Sequence, residues 1–336
     1  MKPTVKDIAK AVNVSPATVS NALNNRKGVS DGIKEVVFKA AKELGYLKES
    51  WNDINTIRFV IFKRHGYVVS DTPFFSSLIE GIEKECRTQG YGMFISHINL
   101  RDNDYKEILN NVRNDRSTGL LVLATEMLPE DMELFGCQGM PVVLLDNYIR
   151  NSSYDFVLIG NTDASYKATT YLIENGHTEI GYLHSSIYIN NFYFRKQGYI
   201  EALSEHGLRV DKSGEILLEP TVEGAYRDMI TALEKRNTAL PTAFFADNDT
   251  IAFGAMRALK VKGFKIPGDV SIIGFDDMPF CEITNPRLTT TKVFKHEMGS
   301  IAVKRLLEKL SRNDDTIQKI EVGTELIVRD SVLKKS

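Results

Sequence analysis

The pattern of apolar and polar positions changes near residue 57. Before that point, apolar residues recur at helical spacing in three short stretches. Thr4, Ser15 and Ser30 precede these stretches, and their side chains are typical helix N-caps. Pro16 falls in the first turn of the second stretch, where a missing N–H is not costly. The first 50 residues therefore predict three short helices.

After residue 57, short continuous apolar runs alternate with amphipathic stretches of helical period. This alternation predicts parallel sheets with helices on both faces, and two successive sets of runs predict two doubly wound lobes. The expected fold class is therefore α/β, with a small all-α head. The first set comprises IRFVIF, YGMFISHI, GLLVLA and PVVLLD, and the second comprises DFVLIG, EIGYLH, GEILLE, TAFFAD and VSIIGF.

The remaining elements and the domain boundaries follow from the same pattern. A strand LTTTKV, a helix from His296 to Leu310 and a hairpin of TIQKIEV with TELIVR are expected at the end. The predicted units are a head at 1–47, a linker at 48–56, a body at 57–332, a first lobe at 57–158 and 291–313, and a second lobe at 159–288 and 316–332.

Charge and composition narrow the class of protein. The whole chain of 336 residues has a net charge of −2, but residues 1–50 hold nine Lys/Arg against five Asp/Glu. A modestly basic head on an acidic body fits a DNA-binding module whose partner domain has a different task. No apolar run approaches the roughly 18 residues of a membrane span, and the start MKPTVKDIAK has no apolar core, so we expect a cytoplasmic protein.

Signatures of enzymes and metal sites are missing from the sequence. The chain has no GxGxxG, Walker loop, HExxH or G-x-S-x-G. Cys86, Cys137 and Cys281 are far apart without a CxxC, which favours separate buried thiols over a disulfide or zinc site. We therefore predict a protein that is not an enzyme and that has no cofactor, no metal ion and no catalytic residue.

Polar residues follow several of the apolar runs. In open α/β sheets, ligands bind beyond the carboxyl ends of the strands, and two facing lobes enclose the ligand in a cleft. Closure of the lobes about a hinge converts binding into a change of shape. The candidate residues at strand ends are Asp146, Asn161, Asp247, Asn248, Asp276 and Asp277.

Several segments resemble the lactose/galactose repressor family of bacterial transcription factors. The resemblance is carried by TVKDIAKAVNVSPATVSNALNN, HTEIGYLHS, DVSIIGFDD and NPRLTTTK, which are spread over almost the whole chain. It implies a helix-turn-helix head, whose second helix enters the major groove of operator DNA, and a body like periplasmic binding proteins. The DNA-contacting positions that it implies are Thr4, Ser15, Pro16, Ala17, Thr18, Ser20, Asn21, Asn24, Lys27 and Tyr46.

Three of these positions bear on the choice of operator. In the family, the two residues after the helix cap select the operator, and here they are Pro16 and Ala17, which offer only apolar contacts. Family members usually have Arg at the position of Asn21. Because Asn favours adenine where Arg favours guanine, we expect an operator that departs from the usual guanine. The alternative is that Asn21 simply faces solvent.

The linker departs from the family pattern. Relatives form a short hinge helix here, whose Leu wedges into the minor groove, whereas this chain has the shorter segment LKESWNDINT. Glu49 and Asp53 would repel phosphate, and Trp51 or Ile54 is the candidate wedge. Either a modified hinge or a direct, rigid coupling of body to head is compatible with this segment.

The resemblance also implies an effector site between the lobes. The matching positions are Phe74, Asp146, Arg195, Asn248 and Asp276. Carboxylates, amides and a guanidinium bind sugar hydroxyls, and an aromatic face covers the apolar side of the ring. Each side chain has a structural alternative as a cap, an ion pair or a core residue. Further candidate ring faces are Tyr148, Tyr188, Tyr193 and Phe275.

The unusual segment KRHGYVVSD leaves the charge of the effector open. If Lys63, Arg64, His65 and Tyr67 face the cleft, they suit an acidic sugar or a phosphate, and otherwise they form a solvated loop. The main hypothesis is a homodimeric repressor that is controlled by a sugar or sugar derivative and that has no membrane partner. The alternatives are a purine effector, a solute-binding receptor and, more distantly, an enzyme of sugar metabolism.

Overall fold

The computed structural model describes residues 3–23, 29–44, 54–69, 73–115, 117–135, 140–312 and 316–335. Three short helices form the head, as predicted: α1 (Val5–Ala11), α2 (Pro16–Leu23) and α3 (Asp31–Glu43). Ile8, Val19 and Val37 are fully buried where these helices meet. Asn13 has a φ of 53°, a left-handed conformation that Asn tolerates, and it reverses the chain between α1 and α2.

The first lobe is an all-parallel sheet of six strands with the order β11-β5-β4-β3-β1-β2. Its strands β1, β3 and β4 are buried almost throughout, as continuous apolar runs predict. Its elements up to residue 159 are β1 (Thr56–Lys63), α4 (Pro73–Thr88), β2 (Gly92–Asn99), α5 (Tyr105–Asn114), β3 (Thr118–Leu123), a 3₁₀ helix (Pro129–Phe135), β4 (Val142–Leu145) and β5 (Asp155–Ile159).

The second lobe repeats this plan with the order β12-β10-β9-β8-β6-β7, in which only the β10–β12 pair is antiparallel. Its elements up to residue 293 are α6 (Asn161–Glu174), β6 (Ile180–Ser185), α7 (Asn190–Glu205), a 3₁₀ turn (Lys212–Gly214), β7 (Glu215–Leu218), α8 (Val222–Lys235), β8 (Ala243–Ala246), α9 (Asp249–Val261), β9 (Ser271–Asp276), a 3₁₀ turn (Pro279–Glu282) and β10 (Thr289–Val293).

The C-terminal segment corrects two predictions. It forms α10 (Lys295–Arg312), β11 (Lys319–Val322) and β12 (Thr324–Ile327). The predicted hairpin is wrong, because β11 pairs with β5 in the first lobe while β12 pairs with β10 in the second. The lobe boundaries are also wrong at two places, since 291–293 were assigned to the first lobe although β10 pairs with β9, and 319–322 were assigned to the second although β11 pairs with β5. The chain therefore crosses between the lobes near residues 160, 294 and 323.

Both lobes have a switch point where neighbouring strands connect in opposite directions. In the first lobe it lies between β1 and β3, and in the second it lies between β6 and β8. Such crevices at the carboxyl ends of strands are where open α/β sheets bind ligands. The fold thus points both sets of strand ends toward one region between the lobes.

Candidate functional site

The first candidate site is the surface of the head around α2. Ser15 caps α2 as predicted, because its Oγ accepts from the Thr18 N–H at 3.0 Å. Thr4 precedes α1, and its N–H donates to the Asp7 carboxylate at 2.7 Å. These contacts satisfy helix N-terminal donors and fix where α1 and α2 begin.

The predicted DNA-contacting residues at the start of α2 and along it lie outside the core of the head. Ser15, Pro16 and Ala17 are exposed and Asn21 is half-buried, whereas Val19 and Ala22 of the same helix are buried in the head core. Thr18 and Ser20 are also half-buried. The helix therefore presents a largely polar edge away from the core. Asn24, Lys27 and Tyr46 lie outside the described residues, as do residues 48–53 of the predicted linker and Cys137.

The second candidate site is a cavity of about 260 Å³ between the lobes. The structure brings all five predicted effector residues together on its wall. The first lobe supplies Phe74 at the start of α4 and Asp146 after β4, and the second supplies the others. Those contributed by the second lobe are Arg195 on α7, Asn248 before α9 and Asp276 at the end of β9.

Arg195 is held in place by the second lobe. Its Nε donates to Asn161 Oδ1 at 2.8 Å and its Nη1 donates to the Asp247 carbonyl at 2.5 Å. The guanidinium carbon lies 3.6 Å from the centroid of the Phe275 ring. A Cβ on Gly198, one turn further along α7, would lie 2.0 Å from the Thr162 carbonyl oxygen. This glycine therefore allows α7 to approach α6 closely enough for Arg195 to reach Asn161.

The two cavity aspartates lie on unusual backbone. Asp146 has a φ of 60° and Asp276 a φ of 115°, and both residues are buried. Left-handed backbone at a non-glycine residue is strained and often marks a functional site. Each strand end turns sharply at its aspartate, and both aspartates line the cavity.

Asp146 joins the two lobes. Its carboxylate accepts from Thr125 Oγ1 at 2.7 Å and from Asn191 Nδ2, on the second lobe, at 2.8 Å. Asn190 adds a second bridge, because its Nδ2 donates to Asn147 Oδ1 at 2.8 Å. Burial raises the pKa of Asp146 to about 6, against the hydrogen bond from Thr125 and the charge of Arg195.

Asp276 is a carboxylate with few partners. Burial raises its pKa, and the charges of Arg195 and Lys295 oppose that rise. Among the described residues no donor forms a hydrogen bond with its Oδ1, which lies 3.6 Å from Arg195 Nη2. A buried oxygen without a donor is costly and is usual only where a ligand or water completes the site.

Asn248 has both a structural and a cavity-facing role. Its Oδ1 accepts from the Ile251 N–H at 2.9 Å and so caps α9. The residue is nevertheless part of the cavity wall, together with Thr250 and Met278. The capping alternative for Asn248 therefore coexists with its predicted position in the site.

Glu126 organises the turn that follows β1. Its side chain is buried, and its two oxygens accept from five backbone N–H groups at 2.8–3.0 Å. Burial alone would raise its pKa, but the His65 side chain and these backbone donors lower the pKa to about 2. The turn places Gly66, Tyr67 and Val68 on the cavity wall. The five donors are Arg64, His65, Gly66, Val68 and Val69.

Comparison with known proteins now adds to this geometry. Residues 4–49 match the family model described as bacterial regulatory proteins, lacI family, and residues 169–332 match the periplasmic binding protein-like domain. The chain is 33% identical, over 338 aligned residues, to the HTH-type transcriptional repressor PurR of Mannheimia succiniciproducens, covering 98% of this chain and 99% of that protein.

This protein belongs to the lacI family of bacterial regulatory proteins. Two solved structures share the fold of the LacI-family chain. The transcriptional regulator CelR in complex with cellobiose matches with a TM-score of 0.74 at 24% identity, covering 98% of this chain and 99% of that one. The lac repressor dimer bound to operator and the anti-inducer ONPF matches with a TM-score of 0.72 at 21% identity, covering 99% and 100%.

Several predictions about the cavity of this LacI-family protein need correction. None of the four proposed extra aromatic faces is on its wall: Phe275 lies under Arg195, Tyr148 faces Lys319, and Tyr188 and Tyr193 are exposed. The aromatic residues that do line it beside Phe74 are Tyr67, Phe75 and Phe192. Of the four side chains Lys63, Arg64, His65 and Tyr67 that were proposed to face the cleft, Tyr67 alone is on the wall.

Some residues of the LacI-family cavity were missed from the sequence. Thr125 lines the cavity and follows the run GLLVLA directly, so the strand-end rule that identified Asp146 would have found it. The same rule would have found Glu126, which holds the adjoining turn. Asn191 lies on a helix and gave no such signal.

The described parts of the chain hold neither a membrane-spanning helix nor a metal-binding cluster. No helix there combines the length and the apolar character that crossing a bilayer requires. His, Cys, Asp and Glu side chains within those same parts form no group of three that is arranged to hold a metal ion.

Proposed function

We propose that this LacI-family protein is a transcriptional repressor that binds operator DNA through its head and a small effector between its lobes. The observation that carries the proposal is the convergence of two independent sites: a capped α2 with a polar exposed edge, and a polar cavity at the strand ends of both lobes. The similar PurR protein is named a repressor, which supports a regulator rather than an enzyme.

The head supplies the DNA-binding activity in this proposal. The edge of α2 that holds Ser15, Thr18 and Asn21 enters the major groove, and Thr4 at the N-terminus of α1 binds a backbone phosphate. Pro16 and Ala17 are exposed and offer apolar contacts to the bases. We assign the same activity to Ser20, Asn24, Lys27 and Tyr46. Because operator DNA is in the cytoplasm, the proposal places the protein there.

The division of labour follows the predicted domains. Residues 1–47 bind DNA, residues 48–56 connect, and residues 57–332 bind the effector and dimerise. The alternative of a solute-binding receptor does not explain why residues 4–49 match the regulatory family.

The effector is a sugar or sugar derivative in this proposal. Asp146 and Asp276 accept from hydroxyl pairs, Asn248 and Arg195 contribute polar contacts, and Phe74 covers the apolar face of the ring. The neighbour CelR was solved with cellobiose, which supports this class. A purine is the second candidate, because the relatives at 33% identity are PurR repressors and two adjacent aromatic rings, Phe74 and Phe75, are available for stacking.

Closure of the lobes would couple the two sites. The bridges from Asn190 and Asn191 to the first lobe, beside three chain crossings, define a hinge. An effector that contacts both Asp146 and Asp276 stabilises one lobe arrangement, and the head follows through the linker.

A homodimer completes the proposal. Dimer symmetry matches a palindromic operator. The lac repressor neighbour was solved as a dimer on its operator. The second lobe exposes Phe280 and Ile283, and Ile283 is 76% exposed, as expected for part of an interface.

Selection of bound sequences from random duplex DNA tests the DNA-binding part. We expect a palindrome with adenine where the family usually has guanine, and Asn21→Ala should relax that position and weaken binding by about 1–3 kcal/mol. Recovery of the usual guanine would contradict the role of Asn21. Unchanged binding by the Thr18→Ala, Asn21→Ala double variant would contradict the groove placement of α2.

A further inference from the structure

The charge of the cavity wall is unbalanced. Among the described residues that line it, Asp146 and Asp276 are acidic and Arg195 is the basic one. Both carboxylates are buried, so their charges are poorly screened by water. A negatively charged ligand would therefore need a cation that is not already paired with a group of the protein.

Arg195 is already occupied by protein acceptors. Its Nε and Nη1 donate to Asn161 and to the Asp247 carbonyl, its Nη2 faces Asp276 at 3.6 Å, and its plane lies against the Phe275 ring. An anion that approached Nη2 would lie beside the Asp276 carboxylate, whose negative charge opposes it. Arg195 therefore neutralises the site without forming an anion clamp.

Lys295 is the other buried cation beside the cavity. Its Nζ donates to the carbonyl oxygen of Asp276 and lies 3.4 Å from that of Asp277. It also lies 5.5 Å from the centroid of the Phe74 ring, behind the cavity wall. These contacts direct the ammonium toward the bent end of β9.

The basic side chains of Arg64 and His65, which follow β1, do not line the cavity and are held by acidic residues. Arg64 Nη1 donates to both Asp131 oxygens at 2.6 Å, and its Nη2 donates to Glu130 at 2.9 Å. His65 Nδ1 lies 3.1 Å from Glu126 Oε1. The acidic residues of 126–131 thus engage Arg64 and His65, two of the three basic side chains that the sequence offered for an anionic effector, and the third, Lys63, is not part of the cavity wall.

The acceptors that remain on the wall call for ligand donors. Asp276 Oδ1 is buried and, within the described residues, without a hydrogen-bond donor. A carboxylate accepts hydrogen bonds and cannot donate them, so it pairs with a hydroxyl or amine and repels a phosphate or carboxylate.

We propose that the cavity binds an uncharged, hydroxyl-rich effector and discriminates against the phosphorylated or carboxylated form of the same molecule. This inference rests on the proposed function, because it names the class of ligand for that same site. The discrimination arises because an anion in the cavity would lose its hydrating water and face two carboxylates. No unpaired cation on the wall would compensate for this repulsion.

Isothermal titration of the full-length protein against matched ligands tests the proposal. The panel pairs uncharged aldoses and disaccharides with their 6-phosphates and uronates, and pairs inosine with its 5′-monophosphate. We expect the uncharged member of at least one sugar set to bind, and its anionic partners to bind at least about tenfold more weakly.

Variants of the wall make the test specific. The double variant Asp146→Asn, Asp276→Asn removes both negative charges. It should bind the uncharged sugar more weakly and narrow the affinity gap between this sugar and its anionic partner to about threefold. Asp104→Asn, an exposed carboxylate before α5, is the matched control and should leave the gap unchanged.

The outcomes separate this inference from the proposed function. Tighter or equal binding of a phosphate or uronate in wild-type protein would overturn the inference and leave an effector site in place. Binding of no member of the panel would overturn the effector site itself, and the inference with it.

Discussion

Two regions beside the same cavity each hold a buried carboxylate, but they differ in the number of hydrogen-bond donors that they supply to it and in the direction of its pKa shift. In the turn after β1, Glu126 accepts five backbone N–H groups, and its pKa falls to about 2 despite burial. At the end of β9, Asp276 Oδ1 has no hydrogen-bond donor within the described chain, and burial raises the pKa of Asp276.

The difference separates structure from recognition. Glu126 is saturated by the protein, so it has no capacity left for a ligand and serves to shape the wall. Asp276 is left short of protein donors, which costs stability and leaves its Oδ1 free to accept a hydrogen bond from a ligand or water.

Glu126→Ala should be the most damaging single change. It leaves five N–H groups of one turn without an acceptor, and breaking such a buried ionic cluster typically costs about 3–5 kcal/mol. Urea unfolding at pH 7 measures the loss. Glu130→Ala is the control, because Glu130 is an exposed partner of Arg64 and its loss should cost less than about 0.5 kcal/mol. If Glu126→Ala lowered the free energy of unfolding by less than about 1 kcal/mol, Glu126 could not be the residue that stabilises this turn.

The pH dependence of unfolding should differ in sign for the two kinds of carboxylate. Glu126 has a lowered pKa, so its stabilising contribution is present above pH 4.5 and is lost as pH falls toward 2. Asp146 has a pKa raised to about 6, so its contribution is present below pH 3.8 and is lost as pH rises through 6.

Unfolding of Glu126→Gln and Asp146→Asn from pH 4 to pH 7 measures these slopes. Between pH 4 and pH 7, the free energy of unfolding of Asp146→Asn should rise by about 2 kcal/mol relative to wild type. That of Glu126→Gln should fall relative to wild type as pH rises. Slopes of the same sign would contradict the distinction.

Asp276→Asn should weaken the effector without weakening the fold. The change removes a buried charge, so the free energy of unfolding at pH 7 should stay equal or rise, while effector affinity falls at least about tenfold, or 1.4 kcal/mol. Calorimetric titration and urea unfolding of the same preparation provide both numbers. Normal affinity combined with reduced stability would make Asp276 a structural residue.

Effector affinity should rise with pH through the titration of Asp146. With a pKa of about 6, the carboxylate that accepts effector hydroxyls is about fourfold less populated at pH 5.5 than at pH 7.5. Titrations at the two pH values should show this ratio in wild type and lose it in Asp146→Asn. A pH-independent affinity in wild type would exclude Asp146 from recognition.

Sequence reasoning predicted the fold and the polar ends of the strands because both follow from local pattern. Asp146, Asn248 and Asp276 each follow an apolar run, and parallel strands bring such ends together. Arg195 was predicted from the family resemblance. Its contact with Asn161 depends on the close approach of α7 to α6 that Gly198 permits.

The errors concern contacts between distant parts of the chain. Arg64 and His65 were candidates for an anion site, and nothing local reveals that their acidic partners lie about 60 residues further along. The hairpin around Gly323 was wrong because two short strands with a brief connection look alike whether they pair or cross between sheets. Neither feature has a periodicity that could reveal it.

The most direct test of the account is operator binding by full-length protein, measured by fluorescence anisotropy with and without the uncharged sugar that binds most tightly. We predict that saturating sugar changes the operator affinity of the wild type at least tenfold. Asp276→Asn should bind the same operator as wild type does without sugar, and should respond less than about twofold at the same sugar concentration. A full response from Asp276→Asn would contradict the claim that this unsatisfied carboxylate receives the effector.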